Sequence, residues 1–237
     1  MRPRVLVAID GPAGAGKSTV AKLLAARLDF LLVDTGALYR TIALAAQRAG
    51  HSFGDDAAVG DLAEAVAAGR RIQMEAFTDG ESRGVRVLLD GEDVSSQIRT
   101  PELSLGASRV SANPRVREAL LAMQRQAGER GGVVLEGRDI GTVVFPDAEV
   151  KFFLTATSAE RAQRRRDELL AKGTPVSLEE TLADVNKRDR ADTERPVAPL
   201  RQADDAHLID SSGVPIEQVV DDMVRIVVTT SESLRRR

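Results

Sequence analysis

The chain has 237 residues, a formal net charge of −3, 43% apolar residues and only 3% aromatic ones. That length suits one α/β domain with room for an insertion, and the slightly acidic balance with few aromatic faces argues against a nucleic-acid or anionic-membrane surface. No cysteine is present, which excludes disulfides, thiolate metal sites and a cysteine nucleophile and fits a reducing compartment. No run approaches the about 18 apolar residues of a membrane span. Met1–Arg4 leads directly into an apolar run, so no leader peptide is expected and the protein is read as cytoplasmic. His51 and His207 lie far apart without metal-ligand partners and read as surface or loop residues.

Residues 5–9 form an apolar run of the kind a buried parallel strand shows, and Val20, Leu23, Leu24 and Leu28 have helical spacing. Between them Gly11–Ser18 reads G-P-A-G-A-G-K-S and satisfies G-x-x-x-x-G-K-[ST] in the strand–loop–helix setting that makes the match specific. Such a loop aims backbone N–H groups at an anion, and its helix N-terminus adds favourable potential. Lys17 is expected to reach the β- and γ-phosphates and the Ser18 hydroxyl to ligate Mg²⁺. Residues 30–33 repeat the pattern: an apolar run ends at Asp34, and Thr35 opens a helical pattern that carries Tyr39 and Arg40. Asp34 and Thr35 are good helix caps, so a second anion site is expected beside the first.

From His51 to about Ala112 the periodicity changes. Residues 61–68 suit a short helix, and 71–77 and 85–89 suit strands, with Asp79-Gly80 and Asp90-Gly91 as turns. This is a small α+β insertion. Pro114 opens a helix running to about Glu129, residues 133–135 form a buried strand before Glu136, and 149–154 form another strand. An acidic residue after such a strand resembles a Mg²⁺-orienting carboxylate. Residues 158–171 and 178–190 form two arginine-rich helices broken at Gly173-Thr174-Pro175, the second capped by Ser177 and Glu180. They read as a lid, about 155–195, over bound phosphates. A strand at 206–209, a helix at 215–228 and a frayed Arg235–Arg237 tail complete the chain. The expected fold is α/β: a single P-loop domain with a mainly parallel sheet and helices on both faces, core 1–50 and 113–237, and insertion 51–112.

Asn186-Lys187-Arg188-Asp189 matches a guanine-reading motif but falls inside a charged helix rather than after a strand, which argues against a GTPase. Three readings remain. The chain is a kinase of a phosphorylated acceptor, a kinase of a hydroxylated metabolite as in shikimate or gluconate kinases, or a non-catalytic ATP-gated binding module that uses 51–112 as its partner surface. A hydroxyl acceptor needs a base. A phosphate, with a second pKa of about 6, is already a nucleophile at neutral pH, and catalysis then reduces to positioning and charge neutralisation. Many arginines and no isolated carboxylate–histidine base favour a nucleoside monophosphate kinase. The binding-module reading survives only if those arginines are surface charge.

Further motifs carry a family resemblance. Gly11–Thr19, Thr35–Arg40 after Asp34, Leu89–Thr100 (L-L-D-G-E-D-V-S-S-Q-I-R-T from Leu88), Pro114–Leu121, Gly137–Ala148 (G-R-D-I-G-T-V-V-F-P-D-A) and Val197–Leu200 together span nearly the whole chain. In these stretches the sequence resembles bacterial cytidylate kinases. The resemblance implies transfer of a phosphoryl group from ATP to CMP or dCMP, with Mg²⁺, by a monomer. It implies ATP binding by Gly11, Pro12, Ala13, Gly14, Ala15, Gly16, Lys17, Ser18 and Thr19, with Lys17, Arg138 and Arg188 as the catalytic set. Ser108, Arg117 and Asp139 would read the cytosine edge. Arg40, Arg138 and Arg188 would hold the monophosphate, with Thr35 and Tyr39 nearby. Arg188 and Asp192 would contact the ribose, and Arg195 would close the site. Thr35 stands where many relatives have Ser, Glu136 where some have Asp, and Ala191–Arg195 reads A-D-T-E-R where relatives often carry another arginine.

Overall fold

A computed structural model describes residues 5–80, 82–171 and 173–236. The Met1–Arg4 lead and the final residue of the arginine tail lie outside the described residues. The chain opens with β1 (Leu6–Asp10), α1 (Lys17–Leu28), β2 (Leu31–Asp34) and α2 (Gly36–Arg48). Next come α3 (Asp56–Ala68), β3 (Ile72–Asp79), β4 (Ser82–Leu89), β5 (Glu92–Asp93), a 3₁₀ turn at Gln97–Arg99 and α4 (Pro101–Val110). Helix α5 (Pro114–Gly128) leads to β6 (Val133–Glu136), a π-helical turn at Ile140–Val144 and β7 (Val150–Thr155). Helices α6 (Ser158–Ala171) and α7 (Leu178–Glu194), strand β8 (His207–Asp210) and helix α8 (Ile216–Arg235) complete it.

Five strands pair in the order β2-β6-β1-β7-β8, every pair parallel. All five residues of β1 are buried, as a central parallel strand requires, and that is why the stretch reads as an unbroken apolar run. Val7 and Ile9 face α1 and α8, packing with Leu24, Val220 and Met223. Leu6 and Ala8 face the other way, toward Val33, Leu135 and the π-helical turn. Helices therefore cover both faces, as expected. A third cluster joins α2 to α3, α5 and the three-stranded antiparallel sheet β3-β4-β5, through Leu38, Ile42, Val66, Leu89, Ile98 and Leu120.

Sequence periodicity misses α4. Its buried stripe is Leu103, Gly106 and Val110, and the glycine dilutes the apolar signal. Packing requires that glycine: a Cβ there would come within 2.9 Å of the Phe53 ring and 3.0 Å of Ala43. The start signal was nonetheless present, with Thr100 capping Leu103 N at 3.2 Å and Pro101 in the first turn. Helices α7 and α8 run beyond the expected ends, and Arg235 is helical rather than frayed. Among the described residues no helix is long and apolar enough to cross a membrane.

Candidate active site

The carboxyl ends of β1, β2 and β6 bring Asp10, Asp34 and Glu136 to one edge of the sheet, where open α/β sheets bind ligands. The loop after β1 turns sharply there. Gly11 has φ 149°, and a Cβ on it would fall 2.0 Å from the Leu154 carbonyl oxygen of β7. Gly16 takes φ 89° immediately before α1, leaving the first N–H groups of that helix to face the loop. Lys17 is buried, and its Nζ donates to the Pro12 carbonyl across the loop at 2.7 Å. Ser18 Oγ donates to Glu136 Oε2 at 2.9 Å. Burial pushes the Lys17 ammonium below its ordinary range, reinforced by nearby Arg138, while burial and the neighbouring Asp34 push the Glu136 carboxyl up. Both are buried titratable groups with strongly shifted pKa values, the kind of pair that clusters at functional sites.

Thr35 occupies the cap position of α2, but its hydroxyl does not cap the helix. It donates to the Glu136 carbonyl at 2.8 Å, tying β2 to β6. Arg40 pairs with Asp34 at 2.5 Å, and its buried Nε is left without a partner. Asp139 lies between two buried guanidiniums: Arg117 donates to one carboxylate oxygen, and Arg195 reaches the other at 3.5 Å. Arg117 also stacks 5.6 Å from the centre of the Tyr39 ring. Arg138 Nε donates to Asp192 at 2.8 Å. Half-buried Arg188 faces Arg165 and Arg138, and burial followed by those like charges lowers its pKa. Ser108 is half-buried on α4, and its carbonyl accepts from Ser111 at 3.1 Å. A cleft of about 580 Å³ between α7 and Ala112 reaches this cluster at Arg195.

The fold links Tyr39, Arg117, Asp139 and Arg195, and likewise Lys17, Arg138, Arg188 and Asp192, while Ser108 connects to Arg117 only through Ser111, whose carbonyl accepts from Arg117 at 3.2 Å. It adds two that the sequence did not mark, Asp10 and Ser211, and gives Arg161 a different set of partners. Asp10 accepts from the N–H groups of Ile140 and Gly141 at 2.8 and 2.7 Å and so holds the turn that carries Asp139. Buried Ser211 donates to the Thr155 carbonyl at 3.0 Å and accepts from Arg164, which also grips the Ser211 carbonyl. Arg161, expected over phosphates as part of the lid, is instead committed to the protein's own backbone and to Asp189. The one signal for Asp10 was its place at a strand end, directly before the loop glycine.

The family model described as "Cytidylate kinase" matches residues 7–229. The chain belongs to the cytidylate kinase family. A cytidylate kinase from Syntrophotalea carbinolica is 54% identical over 96% of this chain and 93% of its own length. One from Geobacter sp. strain M21 is 55% identical over 94% and 92%. Among solved structures, a gluconokinase from Sinorhizobium meliloti 1021 superposes with TM-score 0.50 at 13% identity, covering 99% of this chain and 98% of that one. At that identity the likeness speaks for the fold alone.

Proposed function

We infer that this member of the cytidylate kinase family transfers the γ-phosphoryl group of ATP to CMP or dCMP, giving ADP and the corresponding diphosphate. The observation that carries the reading, beyond family membership, is Asp139 held between Arg117 and Arg195. A fixed carboxylate accepts from an exocyclic amine, the group that separates cytosine from uracil. Ser108 is the further base contact in this reading, and Arg40, Arg138 and Arg188 take the monophosphate, with Thr35 and Tyr39 lining the site. Asp192 takes the ribose. Gly11–Thr19 cradles the triphosphate, with Lys17 on its β/γ end.

The acceptor phosphate is its own nucleophile, so no side chain has to remove a proton. What the chain supplies is alignment and positive charge around the transferring group. Lys17, Arg138 and Arg188 are buried or half-buried there rather than spread over the surface, which weighs against a non-catalytic module. Ser18 and Glu136 offer hard oxygen donors of the kind Mg²⁺ prefers. Among the described residues no cluster of three metal-ligating side chains exists to cage an ion alone, which suits a cation carried mainly by phosphates and water. Bound there, Mg²⁺ would neutralise charge on the phosphate oxygens. The working unit in this reading is a monomer, and the substrates are nucleotides, with no nucleic acid involved.

The test is ADP production from ATP and Mg²⁺ against CMP, dCMP, UMP, AMP, dTMP, shikimate and no acceptor. Strong turnover with CMP and dCMP, weak with UMP and absent otherwise is expected. Turnover with shikimate, or none with any acceptor, would overturn the reading.

A further inference from the structure

Arg161 has the least exposed guanidinium of the two arginine-rich helices, and its bonds join three segments. Nε donates to the Ala156 carbonyl at 2.9 Å, at the end of the β7 strand. Nη1 donates to the Ala13 carbonyl of the phosphate loop at 3.0 Å. The fork then closes on α7, with Nη1 and Nη2 donating to the two carboxylate oxygens of Asp189 at 2.9 and 2.6 Å. Two parallel bonds from a rigid guanidinium fix orientation as well as distance. The side chain of Arg161 is 6% exposed, so water screens the pair little. The contact with the loop is also steric, because a Cβ on Gly14 would meet the Arg161 carbonyl oxygen at 3.1 Å.

Asp189 directly follows Arg188 and stands one turn before Asp192, the partner of Arg138. Arg188 faces the like charges of Arg165 and Arg138, which outweigh the attraction of Asp192 and Asp184. Its position comes from α7, and α7 is tied to the phosphate loop through Asp189. We propose that the Arg161–Asp189 pair is a clasp that positions Arg188 and Asp192 against the phosphate loop and carries ATP-induced adjustment at Ala13 to α7. Both are positioning residues. This rests on the reading of the site as a CMP kinase centre.

The test compares wild type with Asp189→Asn, Arg161→Met, the double variant and Asp189→Glu. A misplacement of about 1 Å costs on the order of a hundredfold in rate. Each single variant is therefore expected to lower kcat about ten- to a hundredfold with small changes in KM, and the double variant to be no worse than the worse single one. Asp189→Glu, which can rebuild the pair, should recover part of kcat. A folded Asp189→Asn with wild-type kcat overturns the clasp, as does a double variant whose loss is the product of the single losses. If Arg161→Met does not fold, the asparagine and glutamate variants decide: equal kcat in the two overturns the proposal. Hydrogen exchange on α7, with and without ATP and with no acceptor present, gives a readout independent of turnover. ATP should slow exchange around Arg188 in wild type and leave it unchanged in Asp189→Asn. An equal response in both, or none in wild type, overturns the clasp. Absence of CMP turnover by wild type would instead break only the functional reading, because the exchange measurement needs no acceptor.

Discussion

Asp139 carries two demands at once. It neutralises two buried arginines, Arg117 and Arg195, and in the proposed reading it also presents an acceptor to the base. Replacing it with alanine leaves two desolvated cations facing each other, a change that in buried pairs costs about 3–5 kcal/mol. Asparagine keeps the shape and one acceptor oxygen, avoids the cavity that alanine leaves, and removes the charge that fixes the orientation of the group. We expect Asp139→Asn to raise KM for CMP by orders of magnitude and erode the preference over UMP, with KM for ATP nearly unchanged. Equal losses for both substrates in steady-state kinetics would mean a folding role alone. Asp10 gives a second residue-scale prediction. Burial raises its pKa from 3.8 to about 6, although two backbone N–H groups oppose the shift. A carboxyl raised in the folded state is protonated there while it is already ionised in the unfolded chain. Stability is therefore lost as pH climbs through the interval from about 4 to about 6 and is level above it. Denaturant titrations at several pH values should show wild type losing on the order of 3 kcal/mol relative to Asp10→Asn across that interval. A pH-independent difference between the two proteins would show that Asp10 does not titrate there.

At the scale of elements, α7 depends on a start signal that is legible in the sequence and far from the chemistry. Ser177 Oγ accepts from Glu180 N at 3.1 Å, and Glu180 Oε2 accepts from Ser177 N at 2.9 Å. Eleven residues, about 16 Å of helix, separate this capping box from Arg188. Ser177→Ala should therefore cost about 1 kcal/mol, or about 2–4 °C in Tm for a chain of this size, with kcat within the error of wild type. A large loss of kcat in that variant would mean that the start of α7 is coupled to its catalytic end. The contrast with Arg161 is instructive. Both residues lie in the arginine-rich segment, and a one-dimensional pattern treats them as local helix features. Burial and partners separate a local cap from a tie between elements.

At the scale of the molecule, the elements of 51–112 share one apolar cluster with α2 and α5, while α1 and α8 pack on the other side of the parallel sheet. In the proposed reading CMP is held between the insertion and the core, and ATP lies on the core. Either nucleotide should stabilise the whole chain, by about 2.7 kcal/mol at a hundredfold excess over Kd. Thermal unfolding with CMP, UMP and a non-hydrolysable ATP analogue should show shifts for CMP and the analogue and a smaller one for UMP. No shift with CMP would speak against a CMP site bounded by the insertion.

Sequence alone determined the strand–loop–helix cradle, the parallel α/β class and the family. Those rest on short-range regularities: glycines at fixed offsets, unbroken apolar runs for strands buried on both faces, and capping residues at helix starts. It did not reveal α4, because the glycine that lets that helix approach Phe53 also weakens its pattern. Nor did it reveal what Asp10, Asp34 and Arg161 hold. Asp10 is 130 residues from Ile140, and Arg161 is 148 from Ala13. A charged residue in a helix or at a strand end looks the same in sequence whether it is solvated or buried, and only the packing of distant segments gives it a partner. Tertiary structure therefore decided which partner each of these buried charged side chains meets.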